Sequence, residues 1–239
     1  MIENQVLEFQ SASFQKYNHI SAEAFSRLSG KDNVASILLL QSKEVQKGKA
    51  PKRLIVANTH IHWNPDYCDV KLMQTYMLLE RLMEFGASRS QSPVPMIIAG
   101  DFNSTTFSGA YELICTGRLP YNHADLLVQF VFFFCRLGIE KKKNLLYHHI
   151  KGFNYGVTHG YHHTLNVSSA YAKIGEPQFT NYTADFVGVL DYLFYSKDTL
   201  GVSKLLQPID ENDVKVTKMP NAYYPSDHQS LVAEIYFKP

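Results

Sequence analysis

Apolar residues in this chain come in short runs broken by polar, glycine- or proline-containing stretches. NVASILLLQ (33–41) and KRLIVANTH (52–60) predict two strands, and the basic stretch KEVQKGKAPK between them predicts a hairpin with a long exposed loop. From Asp69 the pattern changes period. DVKLMQTYMLLERLMEF places Leu72, Met73, Tyr76, Leu79 and Met83 on one helical face with charges opposite, and Gly86 suits its C-terminal end. VPMII (94–98) predicts a further strand. SGAYELICTG predicts a short helix capped by Ser108 and stopped by Gly117. GVLDYLFYS (188–196) and SLVAEIYF (230–237) complete the strands. Strands outnumber helices and the helices fall between them, which predicts an α/β layered domain. No repeat, low-complexity block or linker divides residues 1–239.

Composition narrows the function classes. Of the 239 residues, 45% are hydrophobic and 19% charged, which excludes a disordered chain. A formal charge of +1 supplies no global field for nucleic acid, so any basic groove is local. Three cysteines (Cys68, Cys115, Cys135) lack metal-site spacing and point to a reduced, intracellular protein. MIENQVLEFQ carries neither half of a signal peptide. LLVQFVFFFCRLGI (126–139) is too short to span a bilayer and contains Gln129 and Arg136, so a buried segment is expected and no membrane association. Histidines 148, 149, 159, 162 and 163 match no zinc spacing, and a solvated loop is expected there.

Candidate chemistry sits at the strand ends. In PMIIAGDFNSTT (95–106), residues two apart on an extended chain point the same way, so Asp101 and Asn103 share a face while Phe102 turns inward. ANTHIHWNP adds His60 and His62, LDY adds Asp191, and PSDH adds Ser226, Asp227 and His228. A scaffold has no need of acid, amide and imidazole at four corresponding strand ends. Together they suit phosphoryl chemistry: carboxylates for Mg²⁺, imidazoles for protons near neutral pH, an amide for a phosphoryl oxygen.

The ordered set NTH, GDFNS, LDY and SDH resembles the endonuclease/exonuclease/phosphatase superfamily. More narrowly, ANTHIHWNPDYCDVKLMQTYMLLE, YELICTGRLP, SSAYAKIGEPQFTNYTADFVGVLDYLFYS and YPSDHQSLVAEI resemble the carbon catabolite repressor four-type deadenylases, the Mg²⁺-dependent poly(A)-specific 3′-5′ exoribonucleases of the Not deadenylase complex. The resemblance implies a DNase-I-like two-sheet β-sandwich flanked by helices. It also implies poly(A) RNA as substrate, Not-complex subunits as partners of the full-length protein, and a cytoplasmic or also nuclear place of action.

Carried over, Asp101 activates the water and helps place the metal, and Asn103 contacts the scissile phosphate. His228 stabilises or protonates the phosphoryl group, Asp191 orients it, Asp227 lies beside the metal, His60 contacts phosphate, and Pro65 and Phe186 flank the terminal adenine. Two departures qualify this. The family's upstream asparagine and metal-binding glutamate precede everything in this chain, and Gln41, Glu44, Glu3 and Glu8 are poor substitutes. A partial domain missing N-terminal strands and the leucine-rich docking region is therefore expected, unstable alone and weak in cleavage. Residues 126–163 also replace a short family connection. The alternatives are a nucleotide or cyclic-phosphate phosphatase of the same fold and a non-catalytic RNA-binding remnant. HWNP with FTNYTADF favours the deadenylase.

Overall fold

The computed structural model describes residues 1–17, 20–43, 50–90, 92–126 and 159–239. The chain opens with β1 (Glu3–Glu8), α1 (Phe9–Lys16) and α2 (Ala22–Ser29). The hairpin β2 (Val34–Gln41) and β3 (Arg53–His60) follows, then the long helix α3 (Cys68–Ala87), β4 (Met96–Asp101) and α4 (Gly109–Thr116). Two-residue strands β5 (Arg118–Leu119) and β6 (Tyr161–His162) pair with each other, as do β8 (Asn181–Tyr182) and β9 (Val187–Gly188). The remaining elements are β7 (Val167–Ser169), β10 (Asp191–Ser196), β11 (Leu200–Leu205), the single-turn α5 (Glu211–Val214) and β12 (Ala233–Phe237).

Six strands form the main sheet in the order β1-β2-β3-β4-β10-β7. All its pairs are antiparallel except β3 with β4, which are parallel and so need a crossover, supplied by α3. Strand alternation divides the core. Ile55, Ala57, Ile98 and Phe194 face the helices, where they pack with Leu72, Met73 and Leu113. Leu54, Ile97 and Leu193 face the other way, against the β11–β12 ribbon and Tyr171, Tyr195 and Ile235. The expected two-sheet layering is thus present as a six-stranded sheet faced on one side by helices and on the other by a two-stranded sheet. Among the described residues no helix is long and apolar enough to cross a membrane.

The short helix after β4 forms as the sequence predicts. Ser108 Oγ accepts the Tyr111 N–H at 3.2 Å, and Gly117 closes the C-terminus at φ +75°, a conformation that favours glycine. Elsewhere the structure departs from expectation. The pattern suggested that α3 would solvate its charged face, yet Asp69, Lys71 and Gln74 are buried along with the apolar stripe, while Tyr76 and Met83 are only half-buried. Asp69, Lys71 and Gln74 each have a partner, whereas the Thr75 hydroxyl, buried on the same helix, has no hydrogen-bond partner among the described residues. Arg27 holds Asp69 through two N–H···O bonds of 2.7 and 2.8 Å, and Lys71 Nζ donates to the Asn103 carbonyl at 2.8 Å. Gln74 Oε1 accepts the His62 N–H at 3.0 Å, and its Nε2 donates to Asn33 Oδ1 at 3.2 Å.

His163 is likewise no solvated loop residue. Its ring is buried, with Nε2 2.9 Å from the Leu113 carbonyl in α4, and burial holds its pKa below the usual histidine value. Glu3 bonds Arg89 and Glu8 accepts from Ser11 Oγ at 2.7 Å, so both carboxylates are engaged on β1 away from the strand-end cluster. Glu44, His148, His149 and, beyond the buried Leu126, the apolar run to residue 139 lie outside the described residues.

Candidate active site

Register brings three site residues into one row. Across the parallel pair His60 opposes Asp101, and across the neighbouring antiparallel pair Asp101 opposes Asp191. Directly opposed residues point to the same face of a sheet. All three therefore project toward the β11–β12 side, at the edge where β3 and β4 end and β10 begins. The backbone is tight at this point. Gly100 lies at φ +150°, and a Cβ there would stand 2.0 Å from the Thr59 carbonyl oxygen, so only glycine lets β4 lie this close to β3.

Phe102 turns inward as expected and is buried against Tyr192 and Phe194. Asn103 shares the cavity with Asp101 for a different reason from the extended chain assumed above. It sits at φ +46°, in a turn closed by its own N–H donating to Asp101 Oδ1 at 2.7 Å. Asparagine tolerates this left-handed conformation, and a preceding Asx side chain favours it. Its side-chain Nδ2 donates to the Ile61 carbonyl at 2.9 Å, while Lys71 fixes its own carbonyl. An acid, an amide and a buried ammonium thus lock one turn.

His228 arrives from the other side. It bridges to Asn181, and its N–H donates to Ser226 Oγ at 3.0 Å. Its ring Nδ1 lies 2.7 Å from Asp191 Oδ2, and Nε2 lies 3.9 Å from Asp101 Oδ2. His60 Nε2 approaches the same Asp101 oxygen at 3.3 Å. Thr180 Oγ1 accepts the backbone N–H groups of Leu190 and Asp191 at 2.8 and 3.0 Å, pinning the start of β10. One carboxylate oxygen is therefore flanked by two imidazoles, one of them oriented by a second carboxylate. The Asp191 hydrogen bond raises the His228 pKa, against the opposing effect of burial. Asp101 is pushed up by burial and by the Asp191 charge, and the Asn103 N–H pulls it back.

Pro65, Phe186, Asp227, His60, Asp101, Asn103 and His228 all line one cavity of about 800 Å³, and Asp191 stands behind His228. Asp227 Oδ2 accepts from Asn181 Nδ2 at 3.2 Å. His62 is not among the lining residues. Its ring packs edge-on to Tyr67 at 5.1 Å, and burial lowers its pKa. Asp101, Asp191 and His228 bring one ligand atom each within 4.8 Å of one another, a spacing that fits a divalent cation. The donor chemistry fits as well: two carboxylates face each other across adjacent strands, and a cation between them would relieve the repulsion that adds to burial in raising Asp101. Asp227 is outside that trio.

Lys71 and Thr180 escaped the sequence reading. Lys71 carried a signal, since a lysine beside an apolar stripe in the first turns of a long helix is buried only if something accepts its protons. Thr180 carried none.

The whole chain is 34% identical over 260 residues to the CCR4-Not complex 3′-5′-exoribonuclease subunit Ccr4 of Mycosarcoma maydis, covering 35% of that relative. It is 35% identical over 262 residues to the protein of the same name in Yarrowia lipolytica, covering 33% of it. The chain thus spans about a third of the length of these curated relatives. Among solved structures, ANGEL2, a 2′,3′-cyclic phosphatase, superposes with a TM-score of 0.71 at 26% identity, covering 98% of this chain and 66% of that one. The human Nocturnin catalytic domain shares the fold, with a TM-score of 0.57 at 20% identity over 99% of this chain and 59% of its own. Residues 23–228, which take in every strand-end cluster, match the model of the Endonuclease/Exonuclease/phosphatase family, and the chain belongs to that family.

Proposed function

We propose that this domain is a 3′-5′ exoribonuclease that shortens poly(A), with Mg²⁺ as its cation. The observation that carries the reading is the His60–Asp101–Asp191 row closed by His228 beside Pro65 and Phe186 in a single cavity. In this reading the Asp101 carboxylate accepts a proton from the attacking water, whose oxygen forms the new bond to phosphorus. The bond from phosphorus to the 3′-oxygen of the penultimate nucleotide breaks, and that oxygen leaves with its electron pair. His228, held by Asp191 through Nδ1, presents Nε2 to the phosphoryl group and supplies the proton. The Asn103 side chain and His60 bind the non-bridging oxygens, and Pro65 and Phe186 hold the terminal base. Mg²⁺ at Asp101 and Asp191, with Asp227 nearby, would offset the negative charge that builds on phosphorus. The products are adenosine 5′-monophosphate and a chain one nucleotide shorter.

The relatives' name supports this reading and extends it to assembly with Not-complex subunits; the cytoplasmic or also nuclear place of action rests on the cysteine usage alone. The similarity to a 2′,3′-cyclic phosphatase supports a second reading, removal of a terminal cyclic phosphate. The test is 5′-labelled oligo(A), with and without a 2′,3′-cyclic end, incubated with the chain in Mg²⁺ or in EDTA. A ladder of single-nucleotide steps that EDTA and Asp101→Ala both abolish is the expected result. Loss of the cyclic phosphate at constant length would install the phosphatase reading. Binding without any change in the oligonucleotide would leave an RNA-binding remnant and overturn both enzymes.

A further inference from the structure

Two large aromatic side chains on the cavity wall have no part in the chemistry above. Trp63 is 68% exposed and Phe107 93% exposed, and both line the cavity that holds Asp101, Asn103 and His228. Neither ring contributes appreciably to the core. Both sit beside hydrogen-bonded turns. Trp63 is followed by Asn64, whose Oδ1 accepts the Asp66 N–H at 2.9 Å, and Arg27 donates to the Asp66 carbonyl at 2.9 Å. Phe107 precedes the capped start of α4, where Ser108 donates to the Thr105 carbonyl through both its N–H (3.0 Å) and its hydroxyl (2.7 Å). Trp63 lies three residues after His60, and Phe107 four after Asn103, so the backbone that fixes the polar groups also fixes the rings.

Exposed aromatic faces alternating with phosphate-binding groups are how single-stranded nucleic acids are held without regard to sequence. We propose that Trp63 and Phe107 form a base-stacking subsite for unpaired nucleotides adjoining the one at the reaction centre. The inference rests on reading this cavity as a phosphodiester site. It adds a second grip, distinct from Pro65 and Phe186, that takes bases by their faces. An oligonucleotide should therefore bind more tightly than a mononucleotide, by an amount that depends on these two rings.

Trp63 is the single tryptophan of the chain, so intrinsic fluorescence reports on this subsite directly. The experiment titrates the 239-residue chain in EDTA with a ten-nucleotide oligo(A), an abasic oligomer of equal charge, and adenosine 5′-monophosphate. Anisotropy of labelled oligo(A) gives a parallel affinity. Oligo(A) should quench Trp63 saturably, and the abasic oligomer should not. Phe107→Ala should weaken oligo(A) about 5- to 150-fold, the range of one lost stacking contact, and leave mononucleotide binding unchanged. Trp63→Ala should do the same by anisotropy, and Trp63→Phe should restore most of the affinity. Both rings are exposed, so thermal melts of these variants should match the parent.

Oligo(A) that binds by anisotropy without altering Trp63 emission overturns the proposal, as does a change under twofold in both alanine variants. Emission that shifts with protein concentration instead of oligonucleotide would assign the rings to a second copy of the chain and also overturn it. Failure of the catalytic reading looks different, because there Trp63 responds to oligo(A) while Mg²⁺ produces no shortening.

Discussion

Replacing Arg27 with alanine tests how the first 29 residues are tied to the site. Arg27 lies on α2 and Asp69 in the first turn of α3, 42 positions away in sequence. The guanidinium meets the carboxylate as a fork, Nε to Oδ2 at 2.7 Å and Nη2 to Oδ1 at 2.8 Å, and it also stacks 4.2 Å from the Tyr67 ring centre. The Asp69 side chain has no exposure to solvent and Arg27 retains 22%. Truncating Arg27 therefore leaves a fully buried carboxylate without its guanidinium, a loss of about 3–5 kcal/mol where buried pairs have been broken from one side. Against a typical domain stability of about 5–15 kcal/mol, that is at least about a fifth of the total.

Removing both charges is a different perturbation. The double variant Arg27→Met with Asp69→Leu buries no lone charge, and such replacements are often neutral or better. Urea denaturation followed by circular dichroism should thus rank parent and double variant close together, with Arg27→Ala well below both. Arg27→Ala should also raise KM for oligo(A), because the same guanidinium holds the Asp66 carbonyl beside Pro65. An Arg27→Ala protein within about 1 kcal/mol of the parent would refute the reasoning, as would a double variant less stable than the sum of the two single changes.

Which parts of this structure a sequence reader can reach follows from how local their causes are. Ser108 and Gly117 bound α4 through contacts within a few residues, and β2, β3 and β10 are set by runs of apolar positions, so these elements were legible. The convergence of His60, Asp101, Asp191 and His228 was legible as chemistry, through four polar strand ends, although the register that unites them is tertiary. The N-terminal elements were not. In β1 only Leu7 is buried among hydrophobic residues, and α1 and α2 are eight residues each, too short for periodicity to stand out; their packing against α3 decides them. Asp69 and Lys71 read as a solvated face because their partners lie 42 and 32 positions away. Asn103 was placed on the right side for the wrong backbone, since the turn depends on a hydrogen bond from its N–H to Asp101 that strand alternation does not contain.

Three further expectations follow from the locked turn and the row of site residues. Lys71→Met removes the charged donor to the Asn103 carbonyl, a contact worth about 1.5–3 kcal/mol, and should lower kcat/KM for oligo(A) roughly 10- to 100-fold; unchanged steady-state kinetics would dismiss the role of the ammonium. Gly100→Ala drives a methyl group into the Thr59 carbonyl, so β3 and β4 must part, and hydrogen exchange should rise along both strands while activity falls; an unaltered exchange map would contradict the 2.0 Å approach.

The last expectation concerns Asp191, whose hydrogen bond is the leading cause of the raised His228 pKa. Asp191→Asn should move the His228 ring titration, followed by NMR in EDTA, to lower pH. A histidine whose folded pKa exceeds its unfolded value contributes stability that is fully present below the unfolded value and lost as pH rises through the folded one. The penalty of Asp191→Asn should therefore be greater near pH 5 than near pH 9, by about 1.4 kcal/mol for each unit of pKa removed. A penalty that is flat across that range, or a His228 titration that stays in place, would show that Asp191 orients the ring without stabilising its charge.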